Sequence, residues 1–158
     1  MSTITYVRGD ATSPIGADPA IIAHIVNDVR AWGSGFVVSV SRKWTEPERF
    51  YRSVTHLVLG DMHLVPVSSV TAGRRILVAN MVAQHGLRSR SNPVPLDYPA
   101  VEKALEQVAR SAGELGASVH MPRIGCGLAG GRWNQVEPLI EATCIAGGVG
   151  VVVYDLAG

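Results

Sequence analysis

Cysteine is nearly missing from this sequence. Cys126 and Cys144 are the only two in 158 residues, and neither belongs to a pair at metal-ligand spacing. Neither a disulfide framework nor a zinc site is expected on that ground, no metal is expected, and a reducing, cytoplasmic setting is expected. Charge of one sign is lacking as well. The 14 basic residues nearly balance the 13 acidic ones, the formal net charge is +1, and the basic residues are scattered. Such a surface has no footprint for a long polyanion, so nucleic acid is not the expected main ligand. No run approaches the ~18 apolar residues of a membrane span. The opening Met1-Ser2-Thr3-Ile4-Thr5-Tyr6 lacks the basic and apolar regions of a secretory signal, so neither a membrane partner nor export by that route is expected. Lysine is confined to Lys43 and Lys103. Internal repeats, low-complexity segments and linkers are absent.

What remains is a chain of one domain's length with 47% hydrophobic residues, enough for one well-covered core. One domain over residues 1–158 and a monomer are expected. Strands are predicted over Ile4 to Val7, Ile21 to Val26, His56 to Val67, Arg75 to Val82, Val119 to Ile124 and Val149 to Tyr154, with the Arg75 strand central. Phe36, Val37, Val40 and Trp44 recur at helical spacing after a glycine-rich loop, and Pro47 is expected to stop that helix. Val101, Leu105, Val108, Ala112 and Leu115 step by four, three, four and three, with Pro99 near the first turn and Gly116 at the end. A last helix is predicted from Trp133 to Ile145, and an exposed loop between Leu87 and Leu96. Strands alternating with helices imply an α/β fold whose sheet is parallel or mixed, covered by helices on both faces. Ligands of such sheets bind beyond the carboxyl ends of the strands.

Two segments pass from an apolar strand through glycine into a helix: Ile25-Val26-Asn27-Asp28 to Gly33-Ser34-Gly35-Phe36, and Arg123-Ile124-Gly125 to Gly131-Arg132-Trp133. Glycine lets backbone N–H groups approach a phosphate, and a helix start adds partial positive charge. Tight turns would need the same glycines, so one loop alone is weak and two are stronger. The second also matches Gly-x-Gly-x-x-Gly at 125, 127 and 130, with Asp155 after the next strand, the local pattern of a dinucleotide site. A nicotinamide-binding half is expected to continue with further strands, whereas the sequence ends at Gly158.

The order of these features resembles the macro domain family, and within it the branch of terminal ADP-ribose protein glycohydrolases. The likeness spans nearly the whole chain. Its residues are Ile4-Thr5-Tyr6-Val7-Arg8-Gly9-Asp10, His24 through Gly35, Met121-Pro122-Arg123-Ile124-Gly125-Cys126-Gly127-Leu128 with Trp133, and Val153-Tyr154-Asp155-Leu156. The resemblance implies a three-layer α/β/α macro domain with a mixed, mostly parallel central sheet. It implies ADP-ribose and mono-ADP-ribosylated proteins as partners, nucleic acid only when itself ADP-ribosylated, and no cofactor. Asp10, with Ala11 beside it, would accept a hydrogen bond from the adenine amine, and Tyr154 and Leu156 would lie beside the base. Asn27 would touch the distal ribose, and Gly33, Ser34, Gly35 and Phe36 would hold one phosphate. Pro122, Ile124, Gly125, Cys126, Gly127, Leu128 and Ala129 would wrap the other phosphate and its ribose. Trp32 is either a lid over the distal ribose or a packed side chain. Cys126 fills the loop or, between glycines, is an acidic thiol.

The branch also implies a lysine at Gln84 and an aspartate at Ala129. A lysine amine can attack the opened anomeric carbon and a carboxylate can relay protons, and neither residue present does this. Hydrolysis without them calls for a water held by Gln84 or Asn27, with Asp28 and His85 as candidate proton carriers, although Asp28 also suits a turn and His85 an exposed loop. The reading is therefore a hydrolase of the ester joining ADP-ribose to glutamate or aspartate, with a non-catalytic ADP-ribose reader as the alternative and a nicotinamide-dependent oxidoreductase behind both.

Overall fold

Ala, Ile and Val fill the two longest strands because both strands are covered on both faces. In a computed structural model of the chain, which describes residues 3–68 and 73–156, β2 (Ala20–Asn27) and β4 (Ile76–Gln84) are buried almost throughout. They lie in a six-stranded sheet of order β1-β6-β5-β2-β4-β3. The other strands are β1 (Ile4–Arg8), β3 (Met62–Pro66), β5 (Ser118–Met121) and β6 (Val151–Asp155). Every neighbouring pair is parallel except β3 with β4, which places one short antiparallel strand at the edge. The readings that touch Met1, Ser2 and Gly158 lie outside the described residues.

Alternate residues of the central strands face opposite layers. Ile22, Val26, Val78 and Val82 pack under α1 (Phe36–Lys43) and α2 (Glu46–Ser53), together with Val37, Val40, Trp44 and Tyr51. Ile21, Ala23, Ala79, Met81 and Ala83 pack under α3 (Tyr98–Leu115) and α4 (Trp133–Ile140). This is the expected three-layer α/β/α arrangement. The long helix α3 begins and ends as its sequence predicts: Asp97 Oδ1 accepts from the Ala100 N–H at 2.9 Å, Pro99 sits in the first turn, and Gly116 closes it in the left-handed region at φ 63°.

Several boundaries differ from expectation. Pro47 does not merely stop a helix; it sits in the first turn of α2, where its missing N–H costs no intrahelical bond. The strand predicted over His56 to Val67 shortens to Met62–Pro66, because Gly60 (φ 96°) and Asp61 form a turn that pins to Val82 on β4. The β5 strand ends at Met121 rather than Ile124, and α4 passes into a π-helical turn, Glu141–Ile145. Among the described residues no helix is long and apolar enough to cross a membrane.

Candidate functional site

Parallel pairing sends the carboxyl ends of β1, β2, β4, β5 and β6 to one edge of the sheet, and a cleft of about 740 Å³ opens there. Each strand end supplies part of its wall. Gly9, Asp10 and Ala11 follow β1, Asn27 ends β2, and Gln84 ends β4. Pro122 to Gly125 follow β5, and Tyr154 and Leu156 close the wall at β6. The antiparallel β3 contributes nothing to it. That volume lies in the range of pockets that enclose a ligand of nucleotide size.

The two glycine-rich loops meet across this cleft. Gly33, Ser34, Gly35 and Phe36 form one lip, where Gly35 takes φ 83° as α1 begins without any capping side chain or first-turn acid. The first-turn N–H groups of α1 thus point to an anion site. Gly125, Gly127, Leu128 and Ala129 form the other lip. A methyl group on Gly35 would stand 3.4 Å from the Leu128 side chain, so the loops are in contact distance although 93 positions separate these residues. The second loop is braced from beneath by Leu96. A Cβ on Gly125 would come within 2.7 Å of Leu96, and one on Gly131 would collide with Leu96 and with the Gly125 carbonyl. Gly127, by contrast, has open space where its Cβ would be.

Residues expected at the site fall into two groups. Asp10, Ala11, Asn27, Gly33, Ser34, Gly35, Phe36, Gln84, Pro122, Ile124, Gly125, Gly127, Leu128, Ala129, Tyr154 and Leu156 all line the cleft. Trp32, Asp28, His85 and Cys126 do not. Trp32 is a core residue rather than a lid: it is buried, packs edge-on to His24 and against Tyr51, and donates from Nε1 to Ser41 Oγ at 2.8 Å. Cys126 is half-buried with its thiol donating to the Ile124 carbonyl, and burial raises its pKa, so the acidic-thiol reading fails. Asp28 grips His85 and the Gly86 N–H instead of facing the cleft.

Lining residues also carry internal bonds that limit what they offer a ligand. Asp10 Oδ1 accepts from the Thr12 N–H (2.8 Å) and hydroxyl (2.7 Å). The Tyr154 hydroxyl accepts from the Ile15 N–H and shares a 2.7 Å bond with His120 Nδ1, so the ring is fixed against the β1 end. Asn27 Oδ1 accepts from the N–H groups of Val29 and Ala31 and from the Tyr51 hydroxyl, while Nδ2 donates to the Ala31 carbonyl. Its amide is therefore the staple of the first glycine loop. Gln84 Nε2 donates to the Gly86 carbonyl, which leaves its Oε1 as an acceptor.

Among the lining residues that were not singled out from the sequence for this role are Leu87, Arg88, Arg123 and His24. Leu87 and Arg88 come from the segment read as an exposed loop, whose far end is in fact tied down: Leu96 N–H donates to the Ala129 carbonyl and Asp97 N–H to that of Ala83. Arg123 pairs with both oxygens of Asp155 at 2.7 and 3.1 Å and lies 5.2 Å from the centres of the Tyr6 and Trp133 rings. Nothing local in the sequence marks that pairing.

His24 and His120 are buried, and burial lowers each pKa to about 4. His24 Nε2 donates to Asn80 Oδ1 at 2.6 Å, since the Asn80 amide nitrogen is committed to the Pro47 carbonyl. Both imidazoles are neutral in the folded chain. Unfolded, each takes up a proton near pH 6.5, so folding stability is full above that pH and falls as the pH drops toward about 4. The expected slope is up to about 1.4 kcal/mol per pH unit for each histidine. Urea titrations at pH 7.5, 5.5 and 4.5 should show that decline, weakened in His24→Gln; a flat profile would contradict it.

No family model matches the chain. A macrodomain protein of Streptomyces coelicolor, by contrast, is 45% identical and superposes with a TM-score of 0.81, covering 97% of this chain and 99% of that one. Chromodomain-helicase-DNA-binding protein 1-like of Mus musculus is 33% identical over 97% of this chain, which spans only 18% of that protein's length. An ADP-ribose glycohydrolase of Homo sapiens is 26% identical over 98% of this chain and 93% of its own.

Proposed function

The chain belongs to the macrodomain family, and from that premise we propose that it binds ADP-ribose and hydrolyses the ester joining it to glutamate or aspartate of mono-ADP-ribosylated proteins. The observation that carries this reading is the meeting of two glycine loops, one opening an uncapped helix, in a long cleft at the carboxyl edge of the sheet. A diphosphate seats between Gly33–Phe36 and Gly125–Ala129. Adenine takes the end walled by Asp10, Ala11, Tyr154 and Leu156, with Asp10 Oδ2 as acceptor for the exocyclic amine. The distal ribose takes the end walled by Asn27 and Gln84. The name of the human relative, an ADP-ribose glycohydrolase, supports the reaction class.

Chemistry in this cleft proceeds without a lysine. Water attacks the anomeric carbon, the bond to the acyl oxygen breaks, and the electron pair leaves with the carboxylate. Gln84 Oε1 accepts from that water, and the loop N–H groups hold the diphosphate so that attack is intramolecular in effect. Asn27 acts by fixing the loop rather than by touching protons. The nicotinamide reading loses support because Asp155, the acid it requires for a ribose, is engaged by Arg123.

The reading is tested with full-length chain and a protein mono-ADP-ribosylated on glutamate. Release of free ADP-ribose is expected, together with calorimetric binding of ADP-ribose that is tighter than that of NAD. Binding without release selects the reader, whose motive is the Gln84 and Ala129 pair. Absence of both sinks the proposal.

A further inference from the structure

Asp28 and His85 come from different strand ends, and the fold joins them beside the cleft, which neither of them lines but their chain neighbours do. Asp28 Oδ2 stands 2.6 Å from His85 Nδ1, while Oδ1 accepts from the Gly86 N–H at 2.8 Å. The Asp28 N–H donates to the Gln84 carbonyl at 3.0 Å, and Asn92 Nδ2 donates to the carbonyls of His85 and Leu87. These bonds hold one imidazole against a carboxylate from both sides. The carboxylate is covered, with 14% of its side chain exposed, whereas the imidazole is 74% exposed. Asn27 and Gln84, the chain neighbours of the pair, both line the cleft, as do Leu87 and Arg88 beyond it.

We propose that His85 is the general base of the hydrolysis, and that Asp28 is its positioning residue; the inference rests on the reaction proposed above. Because Nδ1–H is donated to Asp28, the free lone pair sits on Nε2, the tautomer a base requires. Nε2 takes a proton from the attacking water as the oxygen bonds to the anomeric carbon and the acyl carboxylate departs with the electron pair of the broken bond. The imidazolium then gives its proton to solvent, so each turnover yields ADP-ribose, a free carboxylate and one proton. Two anionic groups bear on the imidazole, Asp28 in contact and Asp97 at the start of α3, and together they raise its pKa above the usual 6.5. The base is active only when neutral, so its pH profile has an acid limb above 6.5.

The experiment measures kcat and KM for release of ADP-ribose from glutamate-modified protein between pH 5 and 9, with ADP-ribose affinity by calorimetry. His85→Ala is expected to lose roughly 100-fold in kcat, to lose the acid limb, to bind ADP-ribose as wild type does, and to regain activity with added imidazole. Asp28→Asn is expected to lower kcat and to move the limb toward lower pH, as removal of the partnering charge demands. A His85→Ala enzyme with wild-type kcat and an unchanged profile overturns the dyad while leaving the hydrolase reading intact. A wild-type chain that releases nothing overturns the hydrolase reading and the dyad with it.

Discussion

Gly127→Glu is expected to abolish ADP-ribose binding and to leave the fold unchanged. The second half of that statement comes from the geometry of the loop. Gly125 and Gly130 take positive φ (74° each), and side chains at Gly125, Gly130 or Gly131 would strike Leu96, the Pro93 carbonyl or the loop itself. Gly127 meets nothing within 4 Å and has no left-handed backbone. A glutamate there is expected to fit without displacing the loop and to bring its carboxylate to the cleft that Gly127 lines. A carboxylate about 5 Å from a phosphate, at an effective dielectric near 20, opposes binding by about 3 kcal/mol per charge pair, which is at least ~100-fold in affinity. Calorimetry paired with a melting curve checks both halves. Wild-type affinity in a folded variant would remove the loop from the site.

Asn27→Ala should produce a large loss of stability, and for a reason that has nothing to do with touching substrate. Its side chain satisfies the N–H groups of Val29 and Ala31, bonds the Ala31 carbonyl and takes the hydroxyl of fully buried Tyr51. Truncation leaves half-buried donors without acceptors at about 1 to 3 kcal/mol for each, although Tyr51 keeps its bond to the Asn27 carbonyl. A total near 3 kcal/mol corresponds to a melting temperature lower by roughly 6–12 °C in a domain of this size. ADP-ribose binding should weaken as well, because Ala31 to Gly35 lose their anchor. Asn27→Asp, which keeps the accepting oxygens, should lose less of both. A melting temperature within 2 °C of wild type in Asn27→Ala would show the loop to be held by other means.

The pH sensitivity expected of His24 and His120 and that expected of His85 have opposite origins. Burial strips the first two of their charge, whereas an exposed imidazole beside Asp28 is helped to keep it. Stability and turnover should therefore respond to pH in separate ways, and measuring one does not predict the other.

Much of the fold is legible in the sequence. Strands β2, β4 and β6 announce themselves as β-branched runs, and α3 as a four-three repeat with its proline and glycine in place, because those signals are local. The first helix ends before Pro47 as expected, but that Pro47 also begins α2 was not legible, since a proline that ends one helix and a proline that begins the next look alike without the neighbouring layer. Trp32 stood open between lid and packed side chain, and only the positions of α1 and α2 reveal that its ring is covered by Tyr51 and His24. Leu96, in a segment rich in serine, arginine and proline, reads as surface and is the buried brace of the second loop.

Local chemistry in the sequence determined that this chain forms an α/β sheet with glycine-rich turns after its strands, and that those turns suit phosphate. Tertiary structure alone decided that the turns meet, that Asn27 holds a loop, that Asp155 belongs to Arg123, and that Asp28 and His85, 57 positions apart, are hydrogen-bonded. The physical reason is range. Periodicity and turn preference act over a few residues, whereas each of these pairings depends on parallel strands carrying distant segments to the same edge of one sheet.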